Sequence, residues 1–528
     1  MRPAELHRSL PRERWGVIAT CSLATSAVYL QPPLWLYHQP PNSAFNFGWV
    51  EVNLLVSLTT LPWLGFVLLG GVIGDFYGRR RILLVGLVGL IAANLLLVIT
   101  PALSWFIAMS LAAGAFGALV LPLSLSLLTL AFADDARART SALAVYLAVT
   151  TTAFFLSIVA VPILFALLDF RAVFVAPTLL ALAAIPLVRR ILTESSCTED
   201  RRFDAVGHVA WVLVVLSVAY GLKLSSVAGQ YIPAILSASL VGCGLGLVML
   251  FWRDRRWPGS VLEQSALPRR RLSALVACGI AMQFGLVGYA TQVRGALIAA
   301  YGYTPLVGTL ALAPLALGML AMAAVGTRRL EGLRVRPMLA FGLVVAGIVS
   351  ALTALTQATG VYPWLAVLLF VFGAAMIACN TAWTFSFLTA IDDRMIGVRT
   401  GISGALFELG SVAGGTVAGA LLAAIGLAEA ARRLRAQGAP PIELDAALSA
   451  LNVLLETATT DPTVLDSTVA RQLMAAYQVV YIASYEQVLL IIAAVCVTVG
   501  AAVWFGLRAR TESEDLTLVR GNWTRGTT

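Results

Sequence analysis

Long apolar runs separated by short polar breaks fill this chain almost from end to end. A bilayer's hydrocarbon core, ~30 Å thick, takes about 20 apolar residues of helix to cross. On that basis the pattern predicts spans at 15–37, 49–74, 82–101, 104–131, 141–168 and 171–191. A second series follows at 205–225, 232–252, 272–300, 304–327, 337–357, 361–390, 396–426 and 485–507, about fourteen in all. The arginines test the count, because cytoplasmic loops collect positive charge. Alternate gaps do hold them: Arg79 to Arg81, Arg137 with Arg139, Arg189 with Arg190, Arg253 to Arg256, Arg328 with Arg329, and Arg394 with Arg399. Both termini are therefore expected in the cytoplasm. The outer stretch 427–484 is long enough to escape the charge rule, and its pattern reads as helices broken at Gly438-Ala-Pro-Pro441. Tyr477, Tyr481 and Tyr485 fall on one helical face leading into the last span.

Of the 528 residues, 59% are hydrophobic and 12% charged, and mean hydropathy is +0.87. A soluble globular surface is excluded, and the chain reads as an all-α integral membrane protein of the cell membrane. Its net charge of +9 sits in short arginine clusters between spans, the orientation signal of insertion, so nucleic acid is not expected as a partner. Lys223 is the only lysine and lies between Leu222 and Leu224, so no Gly-Lys-Ser/Thr phosphate loop exists and uphill work must draw on a gradient or a partner. The six cysteines suggest neither disulfide nor zinc site, and no cofactor or metal is expected. His7, His38 and His208 form no His-Glu-x-x-His pattern, and Gly-x-Ser-x-Gly is absent, which argues against an intramembrane hydrolase.

Between spans two and three runs Gly71-Val-Ile-Gly74-Asp75-Phe76-Tyr77-Gly78-Arg79-Arg80-Arg81. A carboxylate within a span costs on the order of 2.5 to 3.5 kcal/mol at the helix centre, so Asp75 needs a partner. Gly71 and Gly74 allow a neighbouring helix to approach closely. A worn second copy, Gly326-Thr-Arg328-Arg329-Leu-Glu331-Gly332, falls between spans ten and eleven and suggests two homologous halves.

The spacing Gly71-x3-Asp75-x2-Gly78-Arg79-Arg80 resembles the signature loop of the major facilitator superfamily, with Phe76 in place of the usual basic residue. Phe203-Asp204-Ala-Val-Gly207, Tyr301-Gly-Tyr-Thr-Pro305, Glu408-Leu-Gly410 and the helical outer loop are similar to segments of the fourteen-span multidrug and quaternary-ammonium exporters of that group. The resemblance implies a cytoplasmic N-terminus at 1–14, a six-helix bundle at 15–191, linkers with two extra spans at 192–271, a second bundle at 272–507, and a cytoplasmic tail at 508–528. It also implies alternating access about a central cavity, with Asp75 facing the start of span thirteen near Gly397 and Arg79 pairing with Asp134 or Asp135. These residues, with Gly71, Gly74, Gly78 and Arg80, would form a conformational latch.

Three elements common in proton-coupled relatives have no counterpart: an Asp in span one, an Arg in span four, where Ser110 stands, and a Gly-Pro motif in span five. Glu408 is then the best carboxylate for coupling to protons, about twelve residues into span thirteen and ~18 Å along its axis. Gly410-x3-Gly414 and Gly415-x3-Gly419 follow it and suggest close packing or bending. Arg294, in the outer part of span nine, has three readings: snorkelling outward, pairing with Glu51, or attracting an anionic substrate. If spans one, four, nine and twelve line the cavity as in the family, Tyr29, Gln31, Gln283, Asn380 and Trp383 join Arg294 as substrate-cavity candidates, each equally able to serve as glue between helices. The expected protein is a monomeric exporter of hydrophobic or amphipathic small molecules, working in the bilayer with protons as candidate coupling ion. A lipid or metabolite carrier without proton coupling, or a non-transporting sensor or scaffold, are the alternatives.

Overall fold

The computed structural model describes residues 12–31, 62–100 apart from 64 and 68, 102–168, 170–196, 205–225, 232–256, 269–329, 335–356, 362–389, 396–436 and 468–507. Outside them lie most of the expected N-terminal tail, Glu51, Cys197, Phe203-Asp204, the centre of the outer loop at 437–467, and the tail from 508. Every expected span carries a helix. The first bundle holds α1 (Arg12–Tyr29), α2 (Gly65–Tyr77), α3 (Arg79–Val98), α4 (Leu103–Ala131), α5 (Ala136–Leu167) and α6 (Val175–Ile191). The inserted pair is α7 (Ala205–Ser225) and α8 (Ile232–Arg256). The second bundle holds α9 (Arg269–Ala299), α10a (Pro305–Leu310), α10b (Ala313–Arg329), α11 (Val335–Thr356), α12 (Tyr362–Thr389), α13 (Ile396–Ala436) and α14 (Thr468–Gly506). Ten of the described helices are long and apolar enough to cross a membrane.

Each bundle has its own core. Leu83, Leu87, Leu90, Val120, Leu123 and Phe174 anchor the first, and Leu339, Leu343, Phe372, Tyr485 and Ile492 the second. With lipid outside as apolar as the core inside, helix association rests on close van der Waals fit and on small residues. Gly410 and Gly414 supply that fit: a Cβ on either would lie 2.5 Å from the carbonyl oxygen of Ile280 or Phe284, so α13 seats its backbone against α9. The second pair does not pack this way, since Gly415 would meet only Val287 at 3.8 Å and Gly419 nothing within 4 Å. The two glycine pairs, expected to mark close packing or bending, are thus divided into one helix contact and one open face.

One helix differs from its expected span. Span ten is broken, because Thr304 caps α10a by accepting from the Val307 N–H at 3.3 Å with Pro305 in the first turn, and the chain turns again after Leu310. The Tyr362 hydroxyl satisfies the freed Ala311 carbonyl at 3.0 Å. Span thirteen runs on past 426 as far as Ala436, short of the break expected at Gly438, and Glu429 pairs there with Arg432 and Arg433 at 2.6 Å each.

The inserted pair is peripheral. α7 packs on α13 through Val215, Ala405 and Val412, while α8 turns Leu240, Val241, Leu245 and Val248 outward. The bundles meet where α4 and α2 touch α13 and where α5 touches both parts of span ten.

Candidate functional site

Polar chemistry gathers in three places: the turn after α2, the face between the bundles, and the C-terminal end of α9. At the turn, Gly78 has φ +101°, a left-handed conformation that glycine takes without strain. A Cβ there would also lie 2.8 Å from Glu194 Oε1. Arg79 Nε donates to Asp75 Oδ1 at 2.8 Å, its Nη1 to Ser195 Oγ at 3.2 Å, and its backbone N–H to the Ser195 carbonyl at 3.0 Å. Glu194, just past α6, accepts the backbone N–H of Arg80 at 3.0 Å and of Arg81 at 3.2 Å. It therefore satisfies two of the donors that the start of α3 leaves open, at the helix end where negative charge is favoured. The Arg80 side chain reaches the Leu192 carbonyl at 3.1 Å.

The expected pairing of Arg79 with Asp134 or Asp135 is absent in this conformation. Asp75, four residues before Arg79 across the Gly78 break, takes its guanidinium, while Asp134 and Asp135 are exposed in the α4–α5 turn. Asp135 accepts from the Ala138 N–H at 3.0 Å and so caps α5. Glu194 was missed from sequence, although an acid four residues after Arg190 at the end of a span was a usable signal.

Glu408 is half-buried on α13 and lies within electrostatic reach of Tyr29 on α1, so the best deep carboxylate faces the opposite bundle. Around Tyr29, Phe154 packs edge-on at 6.0 Å, and Thr25 and Tyr146 share a hydrogen bond of 2.9 Å. Gln31 donates to Asn94 Oδ1 at 2.9 Å, which ties α1 to α3. Gln283 is buried beside Gly410, two residues along from Glu408. Asn380 is half-buried and accepts from the Thr384 hydroxyl at 3.3 Å. Trp383 is corrected from cavity wall to core: 2% exposed, it donates to the Leu275 carbonyl at 2.7 Å, stacks on Phe387 and presses against Gly279. Tyr146, Thr25 and Phe154 were not anticipated. Each is a single polar or aromatic residue in an apolar run, and no local pattern marks it.

Below this face the bundles touch directly. Ser126 on α4 and Thr400 on α13 share a hydrogen bond of 3.0 Å, and Gly404 abuts Val67 on α2. Of the three readings of Arg294, the structure sets snorkelling aside. The residue is 6% exposed, and its Nε donates to Thr309 Oγ1 at 2.9 Å.

Two helical bundles, a polar face between them and contacts across it define a polytopic carrier of the two-bundle kind. The Major Facilitator Superfamily sequence profile matches residues 16–415, and the chain belongs to that family. Among curated proteins it is 26% identical over 444 residues to a probable actinorhodin transporter of Streptomyces coelicolor, covering 77% of this chain and 75% of that one. It is 24% identical over 311 residues to the multidrug efflux pump LfrA of Mycolicibacterium smegmatis, covering 58% of this chain and 60% of LfrA. Among solved structures, the proton:xylose symporter XylE bound to 6-bromo-6-deoxy-D-glucose aligns with a TM-score of 0.58 at 14% identity, over 93% of this chain and 95% of that one. That likeness shows the shared fold.

Proposed function

We propose that this transporter exports hydrophobic or amphipathic organic compounds by alternating access, with Glu408 exchanging the proton that drives it. The observation that carries the reading is the position of Glu408, on the α13 helix that contacts both α9 and the first bundle, opposite Tyr29 of α1. A carboxylate there is desolvated when the bundles close over it and wetted when they part, so its affinity for a proton changes with the state of the cavity. The Gly71–Arg81 turn acts as the latch: Asp75 and Arg79 stiffen the end of α2, and Glu194 fastens α3 to the end of α6. The names of the relatives support efflux of organic compounds as the direction and cargo. The protein is read as a monomer of the cell membrane with both termini in the cytoplasm.

A carrier without proton coupling is the second reading. It is favoured by the acid-free first span and by an all-apolar crevice of Trp211, Val214, Val218, Ile402, Leu406 and Leu409 beside Glu408. Reconstitution in proteoliposomes with an internal pH dye separates the two, using ethidium, naphthalene-2-sulfonate and naphthalene-2-sulfonamide as cationic, anionic and neutral cargo. The export reading expects cargo movement to carry protons, and Glu408→Gln to cut that proton flux at least about tenfold, a change of ~1.4 kcal/mol in the coupled step. Cargo movement with no proton flux in the unaltered protein selects the second reading.

A further inference from the structure

Only three charged side chains are buried among the described residues: Asp75, Arg79 and Arg294. The first two neutralise each other at 2.8 Å. Arg294 has no such counterpart among the described residues. Thr309 accepts from its Nε, Tyr481 lies within electrostatic reach, and its Nη2 is buried with no hydrogen-bond partner among the described residues. Other described guanidinium groups have a carboxylate or two acceptors at hand: Arg80 has Glu194 at 3.9 Å and the Leu192 carbonyl, though its Nε makes no hydrogen bond, Arg139 the Phe132 and Ala133 carbonyls, and Arg433 has Glu429. A guanidinium stays charged, and a buried charge without a partner is among the costliest features a fold can carry. The side chain is also held in place, since Thr309 fixes one edge of the fork and leaves Nη2 presented.

Its position gives that free edge a use. Arg294 is five residues from the C-terminal end of α9, ~8 Å along the axis. Thr309 belongs to α10a, which packs against α5 of the first bundle, so the site lies where the two halves meet beside that end of α9. Tyr481 presses its hydroxyl against Gly295 and brings a second polar group from α14. A cation, a hydroxyl and a phenol at a bundle interface recognise a single negative charge attached to an apolar body.

We infer that Arg294, oriented by Thr309, is an anion-binding point on the transport path and takes the ionised acid group of an organic substrate. This deepens the export reading, on which it rests for the identity of the ligand as cargo. A free chloride would satisfy the same charge, and the experiment separates the two sources.

The test measures binding alone, so it stands or falls apart from proton-coupled export. The thermal unfolding midpoint of the purified full-length protein in detergent is followed in a sulfate background against naphthalene-2-sulfonate, its neutral counterpart naphthalene-2-sulfonamide, and chloride. The expected result is a saturable rise with the sulfonate, none with the sulfonamide, and none with chloride. Arg294→Lys, which keeps the charge and loses the fork, weakens the sulfonate response about tenfold, and Arg294→Gln removes it. If Arg294→Gln does not fold, the three ligands on the unaltered protein and the Lys variant decide. An equal response to the sulfonamide, no response to the sulfonate, or an undiminished response in Arg294→Gln overturns the site. A chloride response that blocks the sulfonate overturns the organic ligand.

Discussion

Glu194 shows how much a single side chain can hold at a membrane boundary. Its two carboxylate oxygens take the second and third N–H groups of α3, and the Arg80 and Arg81 guanidinium groups lie 3.9 and 3.7 Å away. The ion pairs are partly solvated and add little, whereas the capped N–H groups otherwise face a helix end with no partner. Glu194→Ala is expected to lower stability by about 1 to 2 kcal/mol, read as a drop in the unfolding midpoint in detergent. Glu194→Gln keeps the acceptor oxygen and recovers part of the loss. No drop in Glu194→Ala would show that the cap is idle. The glycines, Asp75 and the arginines of this turn were legible from spacing alone, because backbone conformation and orientation charge are local demands. Glu194 was not, because it meets the turn only through the packing of α6 on α3. The expected link from Arg79 to Asp134 or Asp135 failed for a local reason: across the left-handed Gly78, Asp75 four residues earlier already holds the Arg79 guanidinium.

At the scale of helices, the contact between α9 and α13 is the informative one. Gly410 and Gly414 let the two backbones touch, and Gly419 faces open space. Gly414→Ala must push α13 off the Phe284 carbonyl and is expected to cost about 1 to 3 kcal/mol of stability. Gly419→Ala is expected to leave the unfolding midpoint unchanged or to raise it slightly. Equal effects from the two substitutions would contradict the packing. Sequence could place two Gly-x3-Gly pairs on this helix but could not choose between them, since the register of α13 against α9 is set by the whole bundle. The spans themselves were readable because apolar length is a property of each run by itself. The break inside span ten was hidden for the converse reason: Thr304 and Pro305 signal a start, but the turn after Leu310 lies within an apolar run and is completed by Tyr362 from α12.

At the scale of the molecule, the central claim is that the two bundles carry cargo by parting on one side and then the other. The residues that face across the gap were found unevenly. Glu408 stood out because a carboxylate deep in a span is rare, and Tyr29 because span one was expected to line the cavity. Trp383 was assigned to the cavity by the same logic, yet its indole N–H is spent on the Leu275 carbonyl inside the second bundle. Sequence can nominate a helix for the cavity, but the rotation of that helix decides which side chains reach it. The contact between Ser126 and Thr400 joins the bundles about two helical turns from Glu408 toward the start of α13, and alternating access requires it to open. The most direct measurement pairs Ser126→Cys with Thr400→Cys, oxidises the two thiols to a disulfide in proteoliposomes, and follows whichever of the three cargo probes the unlinked protein moves. The account predicts that the cross-link stops transport and that a reductant restores it. Undiminished transport by the fully cross-linked protein would contradict it.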